Sequence, residues 1–461
     1  MSLSSIVVQK FGGTSVQDAA AMRRVMEIVK RFGIKRGIRP IVVLSACAGV
    51  TNALIRIGEL SLLGKFDEAH KIISELDERH FTILHDLNLP LRSEQEAALS
   101  LRFIWRELRT LVRGIELLGE LTPKMKDKLV SAGERASTTI FAQAFREHLA
   151  SKNIPVLFCD SREFFITDSS FTLARPQMGE TTKRMKPLAK KMHSGSVCVT
   201  QGFVGATKRG ETTTIGRGGS DFSATMMGVA IDAAEIQIWT DVAGIFTCDP
   251  RIVPAAFAQP IVNFSDASTM AFYGAKVLHP ETIGPAIEAG IPVRVLSSKE
   301  PDLPGTTILL SNDERAAITG IAIKRSVSLM QLKSEELLPN VNAVAIVIEA
   351  MAERKIVPLA TSLSFDDTMF VIDTIGEARQ LQTALAGMVP FELEQEKALI
   401  TLVGHGLEDT AGIAARLFKA LKKVNCEMIS FGGAGNAISI VIAETDVDQT
   451  VKRIHQEFFG S

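Results

Sequence analysis

Tyrosine and tryptophan are almost missing from this 461-residue chain, which has one Tyr and two Trp against 24 Phe. We read that skew as a choice of core packing. Excess charge of either sign is missing too. Lys plus Arg number 51 and Asp plus Glu 52, a formal net charge of -1, which excludes a globally basic nucleic-acid binder. Only five cysteines occur, Cys47, Cys159, Cys198, Cys248 and Cys426, and no two form a C-x-x-C pair. Such scattered thiols point to a reducing compartment, and the eight His do not cluster with them as a structural zinc site requires. No apolar run reaches the ~20 residues that span a bilayer, and no charged leader followed by an apolar stretch is visible. The expectation is a soluble, cytoplasmic protein without a membrane or nucleic-acid partner. Hydrophobic residues at 46% and charged residues at 22% are ordinary for a globular chain. At about 150 residues per domain the length suggests roughly three domains.

Short apolar or β-branched runs at 6–9, 41–45, 156–158, 197–202, 236–239 and 293–296 read as strands buried on both faces. Helical periodicity lies between them, at 19–32 and 221–230 among others. This is the pattern of an α/β domain, a largely parallel sheet sandwiched by helices. Residues 53–150 read as a mostly helical, amphipathic insertion. The polar, turn-rich stretch 297–305 reads as a linker. Beyond it, strands are expected at 328–332, 356–359, 368–373 and 391–393 with helices at 341–354 and 377–387. A second set follows, with strands at 399–403, 426–430 and 437–442 and helices at 410–423 and 447–458. The second set lacks its last strand, and a spare strand at 319–323 supplies it. The organisation expected is therefore a first domain over 1–300 and two ferredoxin-like α+β modules. One module is 318–327 plus 396–461, and the other, 328–395, is nested inside it.

Five stretches carry chemistry. Lys10-Phe11-Gly12-Gly13-Thr14-Ser15 follows the first strand. Its glycines let backbone approach an anion, a helix N-terminus follows, and Lys10 supplies a mobile positive charge. It is not a P-loop, because the Lys precedes the glycines. Ser45-Ala46-Cys47-Ala48-Gly49-Val50-Thr51-Asn52 follows the second strand, where open α/β sheets bind ligands. Its alternative is a turn capped by Thr51 or Asn52. In Gly216-Arg217-Gly218-Gly219-Ser220-Asp221, Arg217 among three glycines is free to grip a carboxylate. Asp221 is either a first-turn capping carboxylate or a group that holds the catalytic Lys or a metal-bound phosphate. Thr240-Asp241, with Asp249-Pro250-Arg251 beyond, suits a nucleotide's base, ribose and phosphate. Gly274-Ala275-Lys276-Val277 offers a further phosphate cation. Glu134, in Ser131-Ala132-Gly133-Glu134-Arg135, belongs to a helix, where an isolated Glu is ordinarily solvated.

The order of these motifs resembles the aspartate kinases of the amino-acid kinase superfamily. K-F-G-G-T-S, S-A-C-A-G-V-T-N, S-A-G-E, Q-G-F-V-G with T-I-G-R-G-G-S-D, W-T-D-V-A-G-I-F-T-C-D-P-R and G-A-K-V-L-H-P occur in that family's sequence. The resemblance covers residues 5 to about 300, and the two trailing modules resemble its tandem ACT domains. The layout is most similar to the monofunctional, lysine-sensitive branch. The resemblance implies phosphorylation of the β-carboxylate of L-aspartate by MgATP. This is the first step towards lysine, threonine and methionine, with Mg²⁺ as metal cofactor and no protein-only metal site. It implies catalytic roles for Lys10, Arg217 and Asp221, with Gly12 and Gly13 at the phosphates. Aspartate would be held by Ser45, Thr51, Glu134 and Arg217, Gly218, Gly219 and Ser220, with Glu134 on the ammonium and Arg217 on a carboxylate. ATP would lie along Thr240, Asp241, Phe246, Arg251, Lys276 and Val277. A homodimer, or a dimer of dimers, would form through the ACT domains, with lysine as an effector there.

Two departures stand out. Phe246 replaces the family's Tyr and loses its hydroxyl. In the first module, Asn342-Ala343-Val344 and Val357-Pro358-Leu359-Ala360 replace the lysine-sensing pattern, and the Asp that would meet an effector's ammonium is absent. The rival readings are another kinase of the superfamily and a catalytically dead amino-acid sensor.

Overall fold

A computed structural model describes residues 6–192, 196–216, 218–275, 280–310, 318–333, 341–363, 367–431 and 435–460. β1 (Ile6–Phe11) and β2 (Arg39–Leu44) are buried along almost their whole length, as strands covered on both faces must be. α1 (Ala19–Ile28) lies between them and starts at Asp18, whose carboxylate accepts the Ala21 N–H at 2.8 Å. Five helices then follow without a strand. They are α2 (Val50–Leu62), α3 (Phe66–Asp86), α4 (Leu91–Leu118), α5 (Pro123–Val130) and α6 (Ala132–Ala150). On α4, Ala97, Leu101, Ile104, Leu108, Val112 and Ile115 recur at helical spacing and form its buried face.

The chain continues through β3 (Val156–Phe158), β4 (Ile166–Thr167), α7 (Met178–Lys191), β5 (Val197–Gln201), β6 (Val204–Thr207), β7 (Thr212–Thr214), α8 (Gly219–Ala230) and β8 (Glu235–Thr240). Then come β9 (Ile261–Asn263), α9 (Phe264–Phe272), α10 (Pro280–Glu288), β10 (Val293–Ser297) and β11 (Thr306–Leu309). The remainder is β12 (Gly320–Lys333), α11 (Val341–Arg354), β13 (Ala360–Leu363), β14 (Asp367–Ile372), α12 (Ile375–Leu385), β15 (Glu392–Val403), α13 (Ile413–Ala420), β16 (Met428–Phe431), β17 (Ala437–Ala443) and α14 (Val447–Phe459). Contacts divide the chain into two units. The first is Met1–Gly244 with Glu281–Leu310, and the second is Ile245–Pro280 with Ser311–Ser461.

In the first unit the strand order is β3-β5-β2-β1-β8-β10-β11. All pairs are parallel except β10 with β11. Gln201, Leu44, Phe11, Trp239 and Leu296 stand in register across five neighbouring strands, so five strand C-termini end at one edge. The stretch 297–305, expected as a linker, is instead the turn joining β10 to antiparallel β11. Hairpin turns and linkers draw on the same Gly, Pro and polar residues.

Asp127, on α5, ties this helix to two loops. Its buried carboxylate accepts the N–H groups of Thr172 and Thr214 at 3.0 Å and the Thr214 hydroxyl at 2.5 Å. Burial raises its pKa above the usual carboxylate range. Thr172 is β-branched yet left-handed at φ +72°, so its backbone needs this partner. Replacing Asp127 by Ala leaves these donors unpaired, at a cost of about 3 kcal/mol. The expected result is a thermal unfolding midpoint lower by roughly 5–10 °C, and an unchanged midpoint would contradict this role.

The second unit holds a six-stranded antiparallel sheet in the order β13-β14-β12-β15-β17-β16. The expected strands 319–323 and 328–332 are one long strand, β12, and 391–393 and 399–403 are one strand, β15. The β12–β15 ladder shifts register between Lys324 and Leu329, and Ser326 and Glu396 are left-handed there. A strand expected at 356–359 forms instead at Ala360–Leu363. One half of the sheet, β13-β14-β12-β15 with α11 and α12, closes a core around Met330, Val347, Phe370 and Leu381. The other half, β16-β17-β15-β12 with α13 and α14, closes one around Ile321, Ile400, Leu417, Ile440 and Ile454. In each half β12 and β15 serve as the first and fourth strands, with their roles exchanged. Among the described residues no helix is long and apolar enough to cross a membrane.

Candidate functional site

The site of the first unit stands where the parallel strands end. Lys10 points from the end of β1, almost fully buried, and its Nζ lies 2.6 Å from Asp221 Oδ1. The turn after β1 is tightly built. The Gly12 N–H donates to Trp239 O at 3.2 Å, and the Ala48 N–H donates to Gly13 O at 3.1 Å. Gly12 therefore shapes the turn rather than lending its own N–H to an anion. A Cβ on Gly13 would sit 2.8 Å from the Ala46 carbonyl oxygen, closer than real contacts allow, and a tight 3.3 Å from the Ala48 nitrogen. Gly13→Ala is expected to push the two loops apart and lower kcat/KM about 10²-fold without unfolding the chain. Steady-state kinetics with a melting curve check this, and near-normal kcat/KM would contradict it.

Glu134 lies in the first turn of α6 and is 3% exposed. Helix α6 reaches this depth because Gly133 meets Ala46 closely, where a Cβ would be 2.8 Å from the Ala46 Cβ. The Ser137 hydroxyl also donates to Ser45 O at 2.8 Å. The Glu134 carboxylate accepts the Ala46 backbone N–H, and Lys10 is close enough to act on it electrostatically. Burial nevertheless dominates and pushes its pKa up from 4.5 to about 7. Its Oε2 is buried with no protein partner. A buried carboxylate oxygen without a donor is costly unless a ligand supplies one, and an ammonium group fits that need.

Of the alternatives the sequence left open at the two helix starts, side-chain capping is not the one that forms. Helix α8 has Gly218 at its N-cap, left-handed at φ +74°, so Ser220 and Asp221 lie inside the helix, and Asp221 pairs with Lys10 instead of capping. Helix α2 is likewise capped by Gly49 at φ +82°, not by Thr51 or Asn52. Thr51, half-buried, is the second residue of α2. A Cβ on Gly219 would meet Phe203 at 2.6 Å, and one on Gly202 would meet Ser220 at 2.8 Å, so β5 and α8 meet through glycines. Arg217 lies outside the described residues.

On the far side of β1, Thr240 closes β8, and Asp241 follows it in solvent. The Thr240 carbonyl accepts both the N–H (2.7 Å) and the hydroxyl (3.0 Å) of Ser298, so Ser15 donates its own hydroxyl to Ser298 at 2.7 Å. Phe246 and Arg251 belong to the second unit. Phe246 is half-buried, and Arg251 is exposed with its guanidinium paired to Asp249 at 2.6 Å. Lys276 and Val277 lie outside the described residues. The structure thus brings Lys10, Gly12, Gly13, Ser45, Glu134, Ser220, Asp221 and Thr240 to one strand edge. Sequence reasoning gave no individual role to Ala46, Ser15 and Gly133, which lie inside its motifs, and missed Ser298. Only Gly133, a glycine beside a Glu on a helix, left a signal. Cys47 sits in the same loop, but its thiol donates to Val16 O at 3.0 Å and burial pushes its pKa to about 12, so it offers no thiolate near neutrality.

Residues 5–297 match the Amino acid kinase family, and residues 400–458 match an ACT domain. The chain is 33% identical to the lysine-sensitive aspartokinase 3 of Escherichia coli over 471 aligned residues, covering 99% of this chain and 100% of that protein. It is 33% identical to the chloroplastic aspartokinase 1 of Arabidopsis thaliana, covering 98% of this chain and 80% of the relative. Two crystal structures of E. coli aspartokinase III are similar in fold at 32% identity. The complex with aspartate and ADP, in the R-state, has a TM-score of 0.79 and covers 98% of this chain and 100% of its own. The complex with lysine and aspartate, in the T-state, has a TM-score of 0.84 and covers 99% and 100%.

Proposed function

This chain belongs to the aspartokinases of the amino acid kinase family, and from that membership we propose how its own residues act. The reaction is phosphoryl transfer from ATP to the β-carboxylate of L-aspartate, giving 4-phospho-L-aspartate and ADP. The observation that carries the reading is the meeting of Lys10, paired to Asp221 at 2.6 Å, with Glu134, whose buried Oε2 has no protein partner.

A carboxylate attacking a polyanion needs charge neutralisation and alignment more than a strong base. Glu134 accepts the substrate ammonium, and Ser45, Thr51, Arg217, Gly218, Gly219 and Ser220 hold the rest of aspartate. Lys10 meets the transferred phosphoryl group, and Asp221 fixes the ammonium of Lys10 in place. The Gly12–Gly13 turn leaves room for the phosphates. Thr240, Asp241, Phe246, Arg251, Lys276 and Val277 are assigned to ATP. Among the described residues no group of three or more His, Cys, Asp or Glu stands ready to cage a metal. A lone carboxylate, Asp221, beside the phosphate turn fits Mg²⁺ held mainly by phosphates and water. Bound in that way, Mg²⁺ neutralises phosphate charge.

ADP release measured with and without aspartate tests the reading. Strictly aspartate-dependent release is expected. Aspartate-independent turnover would favour another kinase of the superfamily, and no turnover at all would favour an amino-acid sensor.

The two modules of the second unit give regulation a place, and an amino-acid effector, lysine first, is proposed there together with assembly into a homo-oligomer in the cytoplasm. Pro358 and Leu359 stand where the lysine-sensing Asp is expected, and Leu359 is buried with no charge to offer. Titrating lysine, threonine, methionine and S-adenosylmethionine into the same assay identifies the effector. Inhibition by one of them is expected, and indifference to all four would contradict a feedback role.

A further inference from the structure

The segment that carries Phe246 and Arg251 is built into the core of the second unit. Thr247 is fully buried and bonded on every side. Its N–H donates to Phe257 O at 2.9 Å, and its carbonyl accepts the Ile321 N–H of β12 at 2.8 Å. Its hydroxyl accepts the Phe257 N–H at 3.3 Å and meets His455 Nε2, on α14, at 3.0 Å. Burial lowers the His455 pKa. Cys248 and Val253, just beyond, pack in one core with Ile321, Leu417 and Ile454.

A second anchor holds α9, the helix that leads in sequence to Lys276. Asp266 in its first turn is 1% exposed and accepts the Thr319 hydroxyl at 2.6 Å and Asn436 Nδ2 at 3.1 Å. The same Asn436 amide nitrogen lies 2.9 Å from the Thr269 hydroxyl and 3.1 Å from the Ser265 hydroxyl, and shares its two protons among these acceptors. Asn436 itself is 4% exposed, immediately before β17 and directly after the glycine-rich sequence 432–435 of the second ACT unit. Nothing in the aspartate chemistry uses Asn436 or His455. Both are buried polar side chains, His455 bonded to the stretch that carries Phe246 and Arg251 and Asn436 bonded to α9.

We propose that Asn436 and His455 are positioning residues for the nucleotide, Asn436 acting through Asp266 on α9 and His455 acting through Thr247 on the stretch that bears Phe246 and Arg251. The inference rests on the assignment of those residues to ATP. Losing either anchor leaves a buried polar group unpaired, and the loop relaxes away from the conformation that binds ATP. Nucleotide affinity then falls while aspartate, held in the first unit, is bound as before.

The experiment uses the full chain with Asn436→Ala, His455→Leu, His455→Gln and Thr247→Val. ADP affinity is read by calorimetry, and KM for ATP and for aspartate by ADP release. ADP dissociation constants and KM for ATP are expected to rise about five- to thirty-fold in N436A and H455L. KM for aspartate and kcat should stay within about two-fold. H455Q, whose amide bonds Thr247 as the imidazole does, restores nucleotide binding. Thr247→Val breaks the same bond from the other side with little change in volume, so it reports even where H455L fails to fold. Unchanged ADP affinity in all variants, an equal rise in KM for aspartate, or H455Q as impaired as H455L would overturn the inference. A wild-type chain that binds ADP but releases none with aspartate would overturn the proposed reaction and leave the ADP measurements to decide the inference.

Discussion

Lys10→Met is expected to lower kcat by at least about 10³-fold with the melting curve little changed. Lys10 is the one cation among the described residues of the strand edge that is both buried and paired to a carboxylate of the site. A preorganised charge aimed at the transferring group costs no reorganisation at the moment of reaction, so its removal falls on kcat rather than on substrate affinity. The fold survives because Met fills the channel of the aliphatic stem, and Asp221, with its side chain 19% exposed, turns to water. Activity within ten-fold of wild type would mean that another group meets the phosphoryl charge.

Glu134→Gln is expected to raise KM for aspartate about 10²-fold at neutral pH with a smaller effect on KM for ATP. The pH dependence gives a sharper test. Burial lifts the Glu134 pKa from 4.5 to about 7, so the free enzyme holds this proton more tightly than the unfolded chain does. By linkage the group's contribution to stability is present below pH 4.5 and declines as pH rises through about 7. Binding the substrate ammonium requires the ionised form. KM for aspartate therefore falls as pH rises and levels off above about 7, and at pH 6 it is roughly ten-fold higher than its plateau. In E134Q this pH dependence disappears and the chain gains thermal stability above pH 7. A KM for aspartate that ignores pH between 5.5 and 7.5 in the wild type would remove Glu134 from the ammonium.

The parts legible in the sequence were those with their own residue pattern. Short buried runs gave the parallel strands, and Lys10, Gly12 and Gly13 marked the tight turn at the end of β1 because glycine and charge have few other uses at a strand end. The caps of α2 and α8 were not legible. Gly49 and Gly218 do there by left-handed backbone what Thr51 and Asp221 would do by side chain, and composition cannot tell which mode is used. Helix α6 hid the depth of Glu134, because burial on all sides leaves no amphipathic stripe to read. The Ala46 N–H that holds Glu134 has no side-chain signature at all. The continuity of β12 and β15 was concealed by irregularities at Ser326 and Glu396, residues that seldom take positive φ. The second unit's hold on residues 245–280 includes buried bonds from Asn436 and His455, far away in sequence, which no local pattern reveals.

The account's central claim is that phosphate is placed on the β-carboxylate of aspartate, and trapping the product with hydroxylamine tests it most directly. An acyl phosphate reacts with hydroxylamine to a stable hydroxamate at the carbon that carried the phosphate. Aspartate β-hydroxamate formed in step with ADP, and lost in the Lys10→Met chain, is the predicted result. ADP released without any hydroxamate, or hydroxamate at the α-carboxyl group, would contradict the account.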